Sequence, residues 1–467
     1  MTRQEFIKLS SLMSLNLYFA TNSCKNASGP STEYDSYGGW KKKKLLKTGF
    51  FHTEHDGKRW WLVTPEGNAF LSFGINHYHE DWWFQDYNQE TWLKTFNAEN
   101  FRDENWNKGF RKAAFNDISR LGFNTIGMHT NAPGLIDIPF KSKTPYLREY
   151  KPIVLDHYRN PKPEIYVDIF SESYRKYCEE YAHKTASAYV NDPMLLGYCM
   201  ADCPILTDGD LRLYGGTSWI RILRNLGEHA PGKQAYLKTI LKRYETVNDF
   251  NLVYETSFES WNQLLKAENW RENNPPKSPI EEEDNNAFSL VCIDRYYSVS
   301  KEALFKVDSN HLFFGDKLNG NTNCLEKVAE TVAKYVDLIY YQNFGSCSNQ
   351  SALLNNIIPK TKLPFINGDA GFGVSYEMMP NPYGPRANSQ KERSEWLLEC
   401  CKSGFSRPEF IGWHVCGIID TWKTMPTKEE FQHQGLMTVN GVFYPESSPM
   451  YNRKTLEIRH MTSKEED

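Results

Sequence analysis

The sequence lacks the features that mark several common protein classes. Its 54 Lys and Arg face 58 Asp and Glu, so the net charge is −4 and no basic excess points to nucleic acid. The ten cysteines include no Cys-x-x-Cys pair, which argues against a structural zinc site. No internal repeat is visible. What remains is a 467-residue chain of ordinary soluble composition, long enough for one large barrel or two medium domains.

The sequence also lacks a hydrophobic run long enough to span a membrane at its N-terminus. Residues 2–24, TRQEFIKLSSLMSLNLYFATNSC, have a basic start, a short apolar run and then small or polar residues. This pattern predicts an export signal over residues 1–24, and TRQEFIK resembles the twin-arginine motif. Cys24 is a candidate lipid anchor, which predicts a bacterial periplasmic or outer-membrane lipoprotein. The alternative is a disordered N-terminus.

Aromatic residues are abundant, at 14% of the chain. Large aromatic cores account for part of this, and clefts that stack aromatic faces on sugar rings would raise it further. Composition alone does not separate the two explanations.

Eight short apolar segments each end in polar residues, and helical patterns separate most of them. Near-continuous apolar strands that alternate with helices predict an α/β fold, a parallel (β/α)8 TIM barrel. The predicted strands are 70–79, 124–131, 151–157, 195–204, 311–321, 336–345, 362–373 and 410–422.

The regions around these strands complete the predicted domain organisation. Residues 25–45 are rich in Ser, Gly and Lys and predict a flexible tether, and residues 56–70 predict a β-hairpin that leads into the barrel. The barrel domain spans 46–455, with a long helix-and-loop insertion over 205–286 after strand four. Residues 456–467 form a polar tail.

The polar ends of the strands are the place to search for a site, because TIM barrels carry their active sites there. Asp202 and Asp369 each follow an apolar strand directly, where a carboxylate would be partly desolvated, and they lie at strands four and seven. That placement matches the carboxylate pair of a glycosidase. The other candidates, predicted to contact substrate, are Asn76, His77, His129, His157, Asp316, Lys317, Tyr341, Gln342, Trp413 and His414.

Several motifs resemble one known family. GKRWWLVTPEGNAFLSFGINH, DPMLLGYCMADCP, DSNHLFFGDKLNGN, LPFINGDAG, GWHVCG and HQGLMTVNGVFYPE resemble agarase-like proteins of the clan A glycoside hydrolases. The resemblance covers residues 48 to 450 and is closest to a branch with Asp-Cys-Pro at strand four and Gly-Asp-Ala at strand seven. It implies a glycoside hydrolase without cofactor or metal, acting on poly- or oligosaccharides such as galactans of agar or carrageenan type.

The resemblance also implies roles for three residues. Cys203 stands where better-understood branches have the acid/base Glu, Asp202 stands where they have the preceding Asn, and Asp369 stands in place of the nucleophile. Since Asp is one methylene shorter than Glu, we expect a gap of roughly 7–8 Å between the two carboxylates and therefore an inverting reaction. A nucleophilic Cys203 thiolate is a further alternative, if its pKa is depressed.

Two alternatives come from other functional classes. A metal-dependent hydrolase would use His77 and His79, which lie on one side of strand one, with His129, His157 and Asp369 completing the site. A non-catalytic glycan-binding barrel would explain why the usual pair of Glu residues is missing.

Overall fold

The computed structural model describes residues 33–130, 136–159, 161–422 and 432–445. The export signal with Cys24, the first part of the tether and the polar tail therefore lie outside the described residues. Among the helices that the structure describes, none combines the length and apolarity needed to cross a membrane.

Eight parallel strands close into a barrel, as the alternating pattern predicts. The last barrel strand, Phe410–Cys416, pairs with the first, Ser72–Asn76, with Gly412 paired to Ser72 and Cys416 paired to Asn76, which completes the ring. The barrel strands in order around the ring are β5 (Ser72–Asn76), β6 (Thr125–Ile126), β7 (Tyr146–Glu149), β8 (Leu195–Asp202), β9 (Leu312–Asn319), β10 (Ile339–Gln342), β11 (Phe365–Ala370) and β14 (Phe410–Cys416). Strands β12 (Gly373–Val374) and β13 (Arg386–Ala387) pair with each other outside the barrel.

Helices surround the barrel and form most of the insertion. Several begin at a Ser, Thr or Asp whose side chain accepts a hydrogen bond from the first turn, as at Asp103 and Ser171. The helices are α1 (Gln89–Phe96), α2 (Glu104–Arg120), α3 (Glu172–Ala186), α4 (Leu211–Tyr214), α5 (Trp219–Leu223), α6 (Pro231–Ile240), α7 (Val247–Tyr254), α8 (Trp261–Lys266), α9 (Pro279–Val307), α10 (Leu325–Val332), α11 (Cys347–Thr361) and α12 (Gln390–Phe405).

The lead-in to the barrel is a four-stranded antiparallel sheet and not a single hairpin. Its strands are β1 (Trp40–Lys44), β2 (His52–His55), β3 (Trp60–Val63) and β4 (Asn68–Phe70), in the order β1-β4-β3-β2. Strand β1 falls inside the predicted tether, so that prediction is wrong for residues 40–44. The chain is fixed here because the buried Asp35 carboxylate accepts hydrogen bonds from Thr64 Oγ1 and Asn68 Nδ2.

The third barrel strand lies earlier in the chain than predicted. The pattern favoured 151–157, but the strand is Tyr146–Glu149, and 151–157 is the loop that follows it. Most of the apolar run that misled the prediction is buried in a loop, with Leu155 wholly inaccessible, although Val154 is 37% exposed. A charged pair, Arg148 and Glu149, ends the true strand and hides it from a hydrophobicity pattern.

The insertion after strand four is helical plus loop, as predicted, and contains helices α4 to α8 and the start of α9. Buried ion pairs hold it together. Arg221 Nε lies 2.6 Å from Asp208 Oδ1, and Arg271 binds both oxygens of Glu281. A disulfide between Cys347 and Cys400, which the cysteine spacing did not predict, joins α11 to α12.

Candidate active site

A buried lysine joins the two predicted catalytic carboxylates at the mouth of the barrel. Lys317 Nζ lies 3.0 Å from Asp202 Oδ1 and 2.9 Å from Asp369 Oδ2, so these two oxygens are at most 5.9 Å apart. The gap of roughly 7–8 Å expected from the shorter side chains is therefore wrong for the facing oxygens. Lys317, on β9 between the two aspartate-bearing strands and inaccessible to solvent, attracts both carboxylates toward itself.

A histidine connects Asp202 to a second carboxylate. His129 Nε2 lies 3.0 Å from Asp202 Oδ2, and its Nδ1 lies 3.1 Å from Glu149 Oε1. Lys151 Nζ lies 2.9 Å from Glu149 Oε2 and continues the chain. Because both ring nitrogens of His129 face carboxylate oxygens, both are best used as donors, which favours the imidazolium form.

His77 occupies the other side of Asp369. Its Nε2 lies 3.4 Å from Asp369 Oδ2, and its ring stacks on His129 at 4.6 Å and on Trp82 at 5.0 Å. A side chain at position 417 would strike the Trp82 ring, which explains the glycine there. The aromatic rings thus hold the two histidines in fixed orientations beside the carboxylates.

Local backbone distortions aim these side chains into the mouth. Asn367 on β11 faces outward, because its side chain donates a hydrogen bond to Gln350 of the outer helix α11. Residues two apart on a strand share a face, so Asp369 would also face outward in a regular strand. A register shift in β11 turns Asp369 inward instead. His77, His129 and Cys203, just beyond β5, β6 and β8, have φ values of 52°, 60° and 50°. Left-handed backbone at non-glycine residues is costly and clusters at functional sites.

The contacts in the network shift the pKa values of the aspartates and of His129 in opposite directions. Burial alone would raise the pKa values of Asp202 and Asp369, but Lys317 together with His129 or His77 outweighs burial and holds both pKa values below their usual range. Burial alone would lower the pKa of His129, but Glu149 and Asp202 outweigh it and raise that pKa. Both aspartates are therefore ionised at neutral pH, and the same contacts favour the protonated form of His129.

His77 behaves in the opposite way. Burial, together with His129, lowers the pKa of His77 to about 4, so the ring is neutral at pH 7. The pKa of the Cys203 thiol is raised well above its usual value by burial and by Asp202. The hypothesis of a nucleophilic Cys203 thiolate is therefore wrong, because the thiol stays protonated.

Other predicted residues lie near the mouth without touching the pair. Asn76 Nδ2 donates to the Gly368 carbonyl oxygen, and His157 Nδ1 lies 2.9 Å from the Cys203 carbonyl oxygen. Gln342 ends β10, and its Oε1 has no hydrogen-bond partner among the described residues. His414 is wholly buried beneath them, 2.8 Å from Ser72 Oγ, and burial lowers its pKa to about 3.

Three predicted substrate contacts are wrong. Asp316 accepts a hydrogen bond of 2.7 Å from Tyr297 of helix α9, and Trp413 and Tyr341 are each 1% exposed. All three neighbour an inward-facing residue on their own strand, and successive strand residues point to opposite faces. The prediction placed them at the correct strand ends, but it included both members of each adjacent pair, of which only one faces inward.

The prediction missed several residues that the structure brings to the mouth. Glu149 and Lys151 were missed because strand three was misplaced. Tyr340, whose hydroxyl lies 3.4 Å from His414 Nδ1, would have followed from alternation along β10. Cys416 and His433 carried only the signal of lying within motifs that resemble the agarase-like family. Their Sγ and Nδ1 atoms are 3.3 Å apart.

The predicted metal-ligand set does not assemble. His79 Nδ1 faces Asp81, and His157 faces a backbone carbonyl oxygen, while His129 is engaged by Glu149 and Asp202. A His-x-His metal site with these partners is therefore not formed.

Comparison with known proteins supports the same fold. No family model matches the chain. A curated relative, beta-agarase B of Vibrio sp. (strain JT0107), is 24% identical over 448 residues, which cover 82% of this chain and 46% of the relative. The chain thus spans about half the length of that relative.

Solved structures of similar proteins superpose well. An exo-beta-agarase gives a TM-score of 0.74 at 18% identity, covering 93% of this chain and 68% of its own. The agarase AgWH50C also gives 0.74 at 18%, covering 99% and 71%, and PfGH50B gives 0.77 at 19%, covering 97% and 72%. At these identities the likeness establishes the fold, an α/β TIM barrel.

Proposed function

We propose that the protein is a glycoside hydrolase that cleaves agar-type galactans, with Asp369 and Asp202 as the two reacting carboxylates. The observation that carries the proposal is the pair of carboxylates held across Lys317, with facing oxygens at most 5.9 Å apart. Retaining glycosidases hold their two carboxyl groups about 5–5.5 Å apart. Because similar proteins are named as agarases, we propose galactans as the substrate class. We also propose that the protein belongs to the clan A branch with Asp-Cys-Pro at strand four and Gly-Asp-Ala at strand seven.

Asp369 is the nucleophile in this reaction. Lys317 and His77 keep its carboxylate ionised, and the β11 register shift aims it into the mouth. Its oxygen attacks the anomeric carbon and forms a covalent glycosyl ester while the glycosidic bond breaks.

The proton for the departing oxygen comes from His129. An ionised Asp202 has no proton of its own to give, but His129 Nε2 lies 3.0 Å from Asp202 Oδ2 and delivers one through that oxygen. Water then cleaves the ester, and its proton returns along the same path to His129. Glu149 stabilises the charged ring between turnovers.

The same geometry favours a second candidate, a barrel that binds galactan without cleaving it. Cys203 replaces the usual acid/base residue and is buried, and Lys317 neutralises part of the charge of both carboxylates. Binding without turnover would then be the retained function.

Turnover of agar oligosaccharides decides between the two. The wild type, Asp369→Asn and Asp202→Asn would be compared by mass spectrometry of released products, and NMR would give the anomer formed first. Asp316→Asn is the matched control, because Asp316 is a buried aspartate next to Lys317 that faces Tyr297.

We expect release of a retained anomer by the wild type and by the control, and its loss in both site variants. If the wild type is inactive but binds agar oligosaccharides tightly, the proposal of a hydrolase is wrong and the protein is a galactan-binding barrel. An inverted first product would contradict the assignment of Asp369 as nucleophile.

We further propose that the protein is exported and lipid-anchored at Cys24. The Cys347–Cys400 disulfide supports this, because such bonds persist in oxidising compartments. Palmitate labelling of the bacterial protein, with Cys24→Ala as control, tests it: a label absent from the wild type would contradict the anchor.

A further inference from the structure

Three potential metal ligands cluster on one side of Asp369. A ring nitrogen of His77, a carboxylate oxygen of Asp369 and the Cys416 sulfur all lie within 4.8 Å of one another. His433 Nδ1 lies 3.3 Å from the Cys416 sulfur. The hydrolysis proposed above uses neither Cys416 nor His433, so their presence in the mouth calls for another explanation.

The donor set indicates which kind of cation would fit. Thiolate and imidazole are the ligands that Zn²⁺ takes in proteins, with carboxylate as a common third type. Ca²⁺ and Mg²⁺ require oxygen ligands almost exclusively, so this cluster does not suit them.

The state of the ligands is also suitable. Asp369 uses Oδ2 for both Lys317 and His77, and among the described residues no N–H or O–H group hydrogen-bonds to its buried Oδ1. A buried carboxylate oxygen to which neither Lys317 nor His77 binds leaves a lone pair for a cation. Both rings already point a nitrogen at the cluster, His77 Nε2 at Asp369 Oδ2 and His433 Nδ1 at the Cys416 sulfur.

The local charge permits an additional cation. Asp202, Asp369 and Glu149 bring three carboxylates to the mouth, and Lys317 and Lys151 bring two ammonium groups. Asp156, which lies 3.4 Å from Lys151 Nζ, is a fourth carboxyl group. A divalent cation that displaces the Cys416 thiol proton to solvent adds one net positive charge, which this surplus of carboxylates accommodates even when His129 is protonated.

We propose that His77, Asp369 and Cys416, with His433 beside the sulfur, form a binding site for a thiophilic divalent cation of the Zn²⁺ type. Cation binding itself depends only on these side chains. Its consequence rests on the proposed function: a cation on Asp369 occupies the nucleophile, so binding inhibits hydrolysis.

Cobalt reports on such a site directly, because a cysteine thiolate bound to Co²⁺ gives a charge-transfer absorption. The full chain would be titrated with Co²⁺ and, in competition, with Zn²⁺, in parallel with Cys416→Ser and Cys199→Ser. Cys199 is the matched control: its buried thiol also lies on a barrel strand, but it contacts the Arg148 carbonyl oxygen, outside the cluster.

We expect the wild type and Cys199→Ser to bind Co²⁺ at 1:1 stoichiometry with the charge-transfer band. Cys416→Ser should lose the band and bind Zn²⁺ at least ~100-fold more weakly, since loss of an outer-shell partner alone costs 10–100-fold. A wild type without the band, or a band that persists in Cys416→Ser, overturns the proposal. These outcomes do not depend on turnover, so failure of the cation-site proposal can be distinguished from failure of the hydrolase proposal. If the wild type is active, inhibition of its hydrolysis by Zn²⁺ tests whether a cation on Asp369 blocks the nucleophile.

Discussion

Two buried carboxylates, Glu281 in the insertion and Asp369 in the barrel mouth, are bound by cations in different ways. Arg271 binds both oxygens of Glu281, and the Lys277 backbone N–H donates to it at 2.8 Å. Asp369 receives Lys317 and His77 on one oxygen only, and its other oxygen is left without such a partner among the described residues. A carboxylate with every lone pair engaged can only hold structure, whereas one with a free oxygen can also bind or react.

The cations differ in the same sense. The Arg271 guanidinium is a rigid fork that matches a carboxylate in one geometry, while the Lys317 ammonium is a point charge able to serve two carboxylates at once. The insertion is therefore built for stability, and the mouth retains spare bonding capacity. The variants below test that difference by separating effects on stability from effects on activity.

The largest effect is expected from Asp369→Asn. The amide keeps the shape but cannot attack the anomeric carbon, so kcat/KM on agar oligosaccharides should fall by about 10⁴-fold. Unfolding in urea should change little, because Lys317 keeps Asp202 as partner. Steady-state kinetics and unfolding on the same preparations provide the check; a variant that loses stability in proportion to activity would remove the distinction between the two regions.

Glu281→Gln should show the reverse behaviour. It leaves the Arg271 guanidinium buried without its carboxylate, which typically costs about 3–5 kcal/mol of the free energy of unfolding. The adjacent Glu282, 28% exposed and paired with Arg212, is the control, and Glu282→Gln should cost about 1 kcal/mol or less. Urea unfolding measures both. Unchanged stability in Glu281→Gln would mean that the insertion network does not support the fold.

His129→Gln should reduce kcat by about 10²–10³-fold, within the range that a general acid contributes. The donor must be protonated, and its pKa is raised above the usual 6.5, so wild-type activity should persist above pH 6.5 and fall as pH rises through the raised pKa. That alkaline limb should disappear in the variant. His79→Gln, at a histidine that faces Asp81, is the control. A limb that survives in His129→Gln would assign the proton to another group.

The sequence predicted the barrel well because eight apolar strands and their helices are repeated signals. Strand three was lost because Arg148 and Glu149 end it with charge, whereas the apolar run that follows it lies in a loop. The inward and outward faces could not be told apart at Trp413 and Tyr341, because the neighbouring His414 and Tyr340 are also aromatic. Only the closed barrel shows which residue of each pair faces inward.

The sequence named several residues that the structure brings together, but not how they pair. Asp202, Asp369, Lys317, His77 and His129 were all named, yet the bridging role of Lys317 depends on which of two adjacent strand residues faces inward. The Glu149–His129–Asp202 chain joins three strands and has no local pattern in the sequence. Contacts between side chains on different strands become visible only in the three-dimensional structure.

Asp316→Asn should have the smallest effect on activity. It should instead change how the free energy of unfolding depends on pH. Burial raises the pKa of Asp316 to about 7, above the value near 3.9 of an unfolded chain. Between pH 4 and 7 the folded protein therefore holds a proton that the unfolded chain releases, so this group makes the protein less stable as pH rises, by up to about 1.4 kcal/mol per pH unit.

Asparagine mimics the protonated acid and does not titrate, so the variant should lack this contribution and gain stability relative to wild type from pH 4 to pH 7. Asp117 and Asp420 have pKa values raised to about 6 by burial and add a similar slope to both proteins. The difference between the two urea-unfolding profiles therefore isolates Asp316. Asp202 and Asp369, with lowered pKa values, lose their contribution only below the unfolded value near 3.9 and do not disturb this window. Equal slopes in both proteins would mean that Asp316 is ionised in the fold and belongs, like Asp369, with the charged side chains of the mouth.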